Sequence, residues 1–194
     1  MIWYRSIFIG ALLTLTACGG LRVEPLSLSD PRLPVDARRW VADAEDAVVV
    51  SRARRDEASR VVKAILRWQQ TVLSAPAFSG AKGADAKQKR DRLGLDRVGA
   101  ASAEYRLKEA ELTLSKARLQ LIYAETAMRQ DIAVYDMPPL QAAVDKALQG
   151  VVAHRDLHRR ARETELKATD AWWLAWQSLA KSKSDTRPFW TVSE

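Results

Sequence analysis

Residues 103–125, "AEYRLKEAELTLSKARLQLIYAE", are apolar along two sides of one helix. Val98, Tyr105, Leu112 and Leu119 recur every seven residues. Leu107, Leu114, Leu121, Met128 and Tyr135 form a second row, displaced by two residues and so turned about 200° around the axis. Ala103, Ala110, Ala117 and Ala124 lie beside that second row. A helix apolar on opposite sides needs a neighbour on each side. The stretch therefore predicts the central helix of an all-α protein.

The flanking sequence supplies two partners. Upstream, residues 36–74 carry Ala44, Ser51, Ala58, Ile65 and Val72 at heptad spacing, with Trp40, Ala47, Arg54, Val61 and Trp68 four residues before them. Together the rows predict a coiled-coil seam with one polar interruption, at Arg54. Pro76, Gly80 and Gly83 end that helix. The central helix is expected over 86–135, with Asp85 and Gln88 as a capping pair. Gly94 and Gly99 weaken its first turns and leave a later start near Ser102 open. "DMPPL" at 136–140 stops it, because proline cannot donate and restricts the residue before it.

A third helix is expected over 140–182. Its middle, "HRDLHRRARETELK" at 154–167, is almost wholly polar and covers an apolar row poorly. The second row of the central helix is therefore either covered by the third helix or left for self-association or a partner, and the polar middle tilts the expectation slightly towards the intermolecular contact. Asp56–Arg60, Glu104–Lys108, Glu125–Arg129 and Glu163–Lys167 place acid before base at i,i+4, an order suited to solvated helix faces. No stretch alternates with period two for long, so no sheet is expected. The expected fold is an elongated antiparallel three-helix coiled-coil bundle over residues 36–182, followed by a tail, 183–194.

The amino terminus decides location. Arg5 precedes "IFIGALLTLTA", an uncharged run ending at Ala17, and Cys18 is the single cysteine of 194 residues. Eleven helical residues cover about 16 Å, half of a hydrocarbon core, so residues 1–17 read as an export signal and not a membrane span. Residues 18–35 hold Pro25, Pro31 and Pro34 and predict a semi-extended tether reaching some 50 Å at about 3.1 Å per residue. "LTAC" at 15–18 resembles the lipobox of bacterial lipoproteins. That resemblance implies a diacylglyceryl group on Cys18, cleavage before it and acylation of the new amino terminus. No other cofactor is expected. Gly19 in place of Asp implies a periplasm-facing anchor in the outer membrane, or the outer face of the cell membrane where no outer membrane exists. The alanine spacing of residues 103–125 is similar to alanine-rich helical domains of proteobacterial envelope lipoproteins.

Charge and chemistry narrow the function. The net charge is +7, and +6 once Arg5 leaves with the signal. An exported chain does not meet the genome, so no nucleic-acid partner is expected; a basic balance either aids solubility or favours anionic envelope surfaces. His154 and His158, four apart, share a helix face at the spacing of two zinc ligands, though a third must come from elsewhere. "HRDL" at 154–157 copies a kinase catalytic loop without its metal-binding Asn, and "GAKG" at 80–83 copies a KH-type loop without its strands. Asn is absent, Cys18 is assigned to lipid and no Ser sits in a nucleophile elbow, so no enzyme activity is expected.

"DAWWLAWQSLA" at 170–180 carries Trp172 and Trp176 on one face and Trp173 about 100° away. These rings, with Phe189 and Trp190, form either a structural plug beside Trp68 or a partner-binding surface. Trp40 and Trp68 are separated by about 42 Å of helix, so an upright molecule holds the plug far from its own bilayer. The reading that follows is a structural or adaptor lipoprotein of the envelope, binding the membrane through lipid and an envelope protein or its own copy through the helices. The alternative is a carrier or chaperone that shelters a lipid or apolar substrate in the Trp-lined end.

Overall fold

A computed structural model describes residues 23–75 and 80–182. They form three antiparallel helices, α1 (Val35–Ser74), α2 (Ala81–Arg129) and α3 (Met137–Ala180), with no strand among the described residues. α2 packs against both neighbours, while no Cα of α1 lies within 8 Å of one in α3. The bundle is thus an open layer, α1–α2–α3, and α2 is its middle member. At 1.5 Å per residue α2 is about 73 Å long.

The two rows of α2 divide between the partners. On one side the Ser51 and Ser115 hydroxyls of α1 and α2 meet at 2.8 Å, and Leu119 packs in a cluster with Val41 of α1. On the other, Leu107 and Leu114 pack with Val151, joined by Ala110, Val144 and Ala147. α3 therefore covers the second row, and the intermolecular contact expected there gives way to an intramolecular one. α3 does this through two rows spaced by seven, Leu140, Ala147, His154, Ala161, Ala168 and Ala175 beside Val144, Val151, His158, Glu165, Trp172 and Leu179, all buried or half-buried. In the polar middle the seam is made by His154, His158, Ala161 and Glu165. Arg97 of α2 lies 3.5 Å from Glu165 across it.

The α1 seam differs from expectation by one residue. Ala44, Ser51, Ala58, Ile65 and Val72 do face inwards, but their companions are Val41, Val48, Arg55, Val62 and Gln69. Trp40, Ala47, Arg54 and Val61 are exposed. Both rows satisfy the alternating three-four spacing; the β-branched valines fill the narrow seam, and the tryptophans sit at its border. The Arg97 guanidinium lies 4.8 Å from the Trp68 ring, and Arg129 lies 5.1 Å from that of Trp40. The polar seam position is Arg55, paired with Asp56 at 2.9 Å.

Helix ends also shift. α2 starts at Ala81, not near Asp85 or Ser102, because Gly80 turns the chain at φ 85, where a side chain would be strained. Asp85 instead pairs with Lys89 at 3.0 Å. Arg90, 3% exposed, donates to the Ala75 carbonyl at 3.1 Å, placing a cation at the end of α1, which has no basic residue in its own last turn. α2 ends at Arg129, six residues before Tyr135. Asp131 adopts φ 51, its N–H reaches the Met128 carbonyl at 3.3 Å, and the Ile132 N–H reaches that of Ala127 at 2.8 Å. These two bonds form a Schellman stop with Asp in the place usually held by Gly. Tyr135 still packs in the core, but from a loop. Pro138 and Pro139 then open α3, where their missing N–H groups cost nothing.

The expected tether is largely not one. Val23 and Leu33 are buried; the Val23 N–H donates to Gln120 Oε1 of α2 at 2.9 Å, and Val23 packs with Val41, Tyr123, Ala124 and Leu140. Two turns, Ser27 to Asp30 and Asp30 to Leu33, fold the segment back. Arg38 fastens it by donating to the Leu33 and Asp30 carbonyls at 2.8 and 3.0 Å. Residues 23–33 are a strap docked on the bundle. Cys18, Pro76, Phe189, Trp190 and the signal lie outside the described residues.

Candidate docking surface

Because α2 is the only helix whose backbone runs beside α3, much of the circumference of α3 faces solvent. Val152, Arg159, Leu166 and Trp173 each follow a seam residue by one position, so they stand about 100° from the seam and form their own heptad row. All four are exposed, as is Leu148 beside Val152, and Trp173 shows 48% of its surface. An apolar row of that length, interrupted by one arginine, is what a partner helix recognises. Leu174, next to Trp173, is also exposed and broadens the surface at the carboxyl end of α3.

The tryptophans separate by role. Trp172 and Trp176 are each 5% exposed; their rings stack at 6.3 Å and pack with Ala86 and Leu93 of α2 and Ala175 and Leu179 of α3. They form the plug, but against α2, and no Cα of the α1 end that carries Trp68 lies within 8 Å of one in α3. Trp173, tilted against Trp172 at 6.0 Å, is the ring left facing outwards. The rest of the exposed row, Val152 and Leu166, was missed in sequence because the charged residues between them masked its spacing.

His154 and His158 are half-buried in the α2–α3 seam, where His154 Nδ1 and His158 Nε2 are buried without a hydrogen-bond partner. Among the described residues no group of three or more His, Cys, Asp or Glu comes together to hold a metal. "HRDL" lies within α3, and "GAKG" is the cap and first turn of α2, so neither is a loop. A groove of about 630 Å³ opens between α2 and α3, floored by Ala110, Ala143, Ala147 and Gly150 and edged by Arg106 and Lys146.

The charge pairs regroup along the helices. Lys108 meets Glu111 at 3.0 Å, not Glu104, and Asp56 meets Arg55, not Arg60. Arg162 pairs with Glu165, which also receives Arg97. The pairs within one helix contribute a few tenths of a kcal/mol each, about the worth of an i,i+3 or i,i+4 pair on a helix surface. Among the described residues no helix is long and apolar enough to cross a membrane. Comparison with family models, curated proteins and solved structures finds no match for the chain.

Proposed function

We propose that this chain is a lipid-anchored envelope lipoprotein, carrying its lipid on Cys18, that serves as a structural or adaptor component of a periplasmic or outer-membrane assembly. The observation that carries the adaptor role is the exposed row Val152, Leu166 and Trp173, with Leu148, on a helix whose other face is committed to α2. The lipid anchor is supported by the order of features around Cys18: basic start, short apolar run, small residues, cysteine.

Photo-crosslinking in cells tests the adaptor role. A crosslinking residue at position 166 or 173 should capture one defined envelope protein, or a second copy of this chain. The same residue at position 67, on the outer side of α1, should not. Equal capture from both sides, or none from 166 and 173, would remove the α3 face as the docking surface.

A second reading, a carrier for an apolar substrate, draws on the 630 Å³ groove and not on the Trp end, whose two inner rings are already packed. Its volume lies within the usual range for small-molecule sites. The groove contains no tryptophan, so an environment-sensitive apolar dye is the probe. Saturable dye binding abolished by Gly150→Leu would favour the carrier.

A further inference from the structure

The docked strap alters how this molecule must sit on a bilayer. Cys18 is five residues from Val23, and a fully extended chain of that length spans at most about 17 Å. Val23 is fixed at the level of Gln120 on α2. From Gln120 to the end of α2 at Arg129 the helix rises about 13 Å. A lipid on Cys18 can therefore lie at most a few ångströms beyond that end of the molecule and cannot hold it farther than that from the membrane.

That end carries a group of exposed apolar side chains. Val35 opens α1 at 78% exposure, and Val134 stands in the α2–α3 loop at 91%. Trp40 and Met128 are exposed at the same end. Trp40 and Arg129 line one shallow cavity of about 370 Å³, and Met128 and Val134 line another of about 250 Å³. All four residues stand at the end of the layer where α1 begins and α2 stops. An indole with an arginine beside it is the pairing favoured at the lipid head-group level. Asp36, Asp131 and Asp136 offset Arg39 and Arg129 there, so net charge does not drive the contact.

Building on the lipoprotein reading, we propose that the surface formed by Val35, Trp40, Met128 and Val134 rests in the head-group layer of the bilayer that holds the Cys18 lipid. The rod then stands upright with Trp173 about 55 Å away, and the α3 face points into the aqueous space. Contact through apolar side chains makes the seating insensitive to anionic lipid content.

The test uses the full mature protein in phospholipid vesicles. With Cys18 lipidated, an introduced cysteine is the only free thiol. Val134→Cys, Leu174→Cys and Gln149→Cys variants are each labelled with a fluorophore and challenged with bromine-bearing lipids, and the mass of the amino-terminal peptide is measured on the same samples. The expected result is quenching at 134 at least threefold greater than at 174 or 149, equal in zwitterionic and anionic vesicles. Lipidated Cys18 with position 134 no more quenched than 174 would overturn the end contact alone. Greatest quenching at 149, on the flank of α3, would overturn the upright seating. A bare Cys18 would remove the lipoprotein reading, and the seating with it.

Discussion

Tyr123 shows how a polar seam contact holds α1 on α2. Its ring is buried among Val23, Val41, Ala124 and Leu140, and its hydroxyl donates to Glu45 Oε1 at 2.6 Å. Burial first, then the hydrogen bond and the charge of Glu45, push its pKa up to about 12. The unfolded phenol titrates near 10. The stability tied to neutral Tyr123 is therefore complete below pH 10 and is lost as pH rises through about 12. Tyr123→Phe should cost about 1 kcal/mol at neutral pH. It should also flatten the fall in urea midpoint between pH 10 and 12, a difference that paired denaturation series would reveal.

Each helix solves a different packing problem. α1 is a one-sided helix, α2 is gripped on both sides, and α3 is gripped on one side while showing an apolar row to solvent. Trp176→Ala should cost about 3 kcal/mol or more, because it opens a cavity against Ala86 and Leu93. Trp173→Ala should change the unfolding free energy by no more than about 0.5 kcal/mol. Equal losses would contradict the division between plug and docking surface. The central role of α2 was legible from its two rows, since nothing but a two-sided environment explains them. The α1 seam was not, because Trp40 and Trp68 fit one heptad row as well as Val41 and Gln69 fit the next, and spacing alone cannot choose between a three-residue and a four-residue offset. The end of α2 was hidden for a related reason: Asp131 does the work of glycine, and Tyr135 stays on the apolar rhythm after the helix has stopped.

The whole molecule is longer than its mass suggests. A compact chain with the length of residues 18–194 has a radius of gyration near 16 Å; a layer built on a 73 Å helix should exceed about 20 Å in small-angle scattering. A value near 16 Å would mean that the helices fold over one another and that α1 and α3 meet. The strap was unreadable as such in sequence, because three prolines suggest an extended tether and the turns at Asp30 and Leu33 depend on Arg38 reaching back from α1. The site was legible at Trp173 and illegible at Val152 and Leu166, whose row is visible only once the seam beside it is known.

The proposed location and role both rest on the modification at Cys18. Intact-mass analysis of the amino-terminal peptide from the membrane fraction tests it directly. A mature chain beginning at Cys18 and bearing diacylglyceryl and acyl groups is the predicted result. An unmodified thiol at that position, in a chain that still carries residues 1–17, would contradict the anchor and the envelope role together.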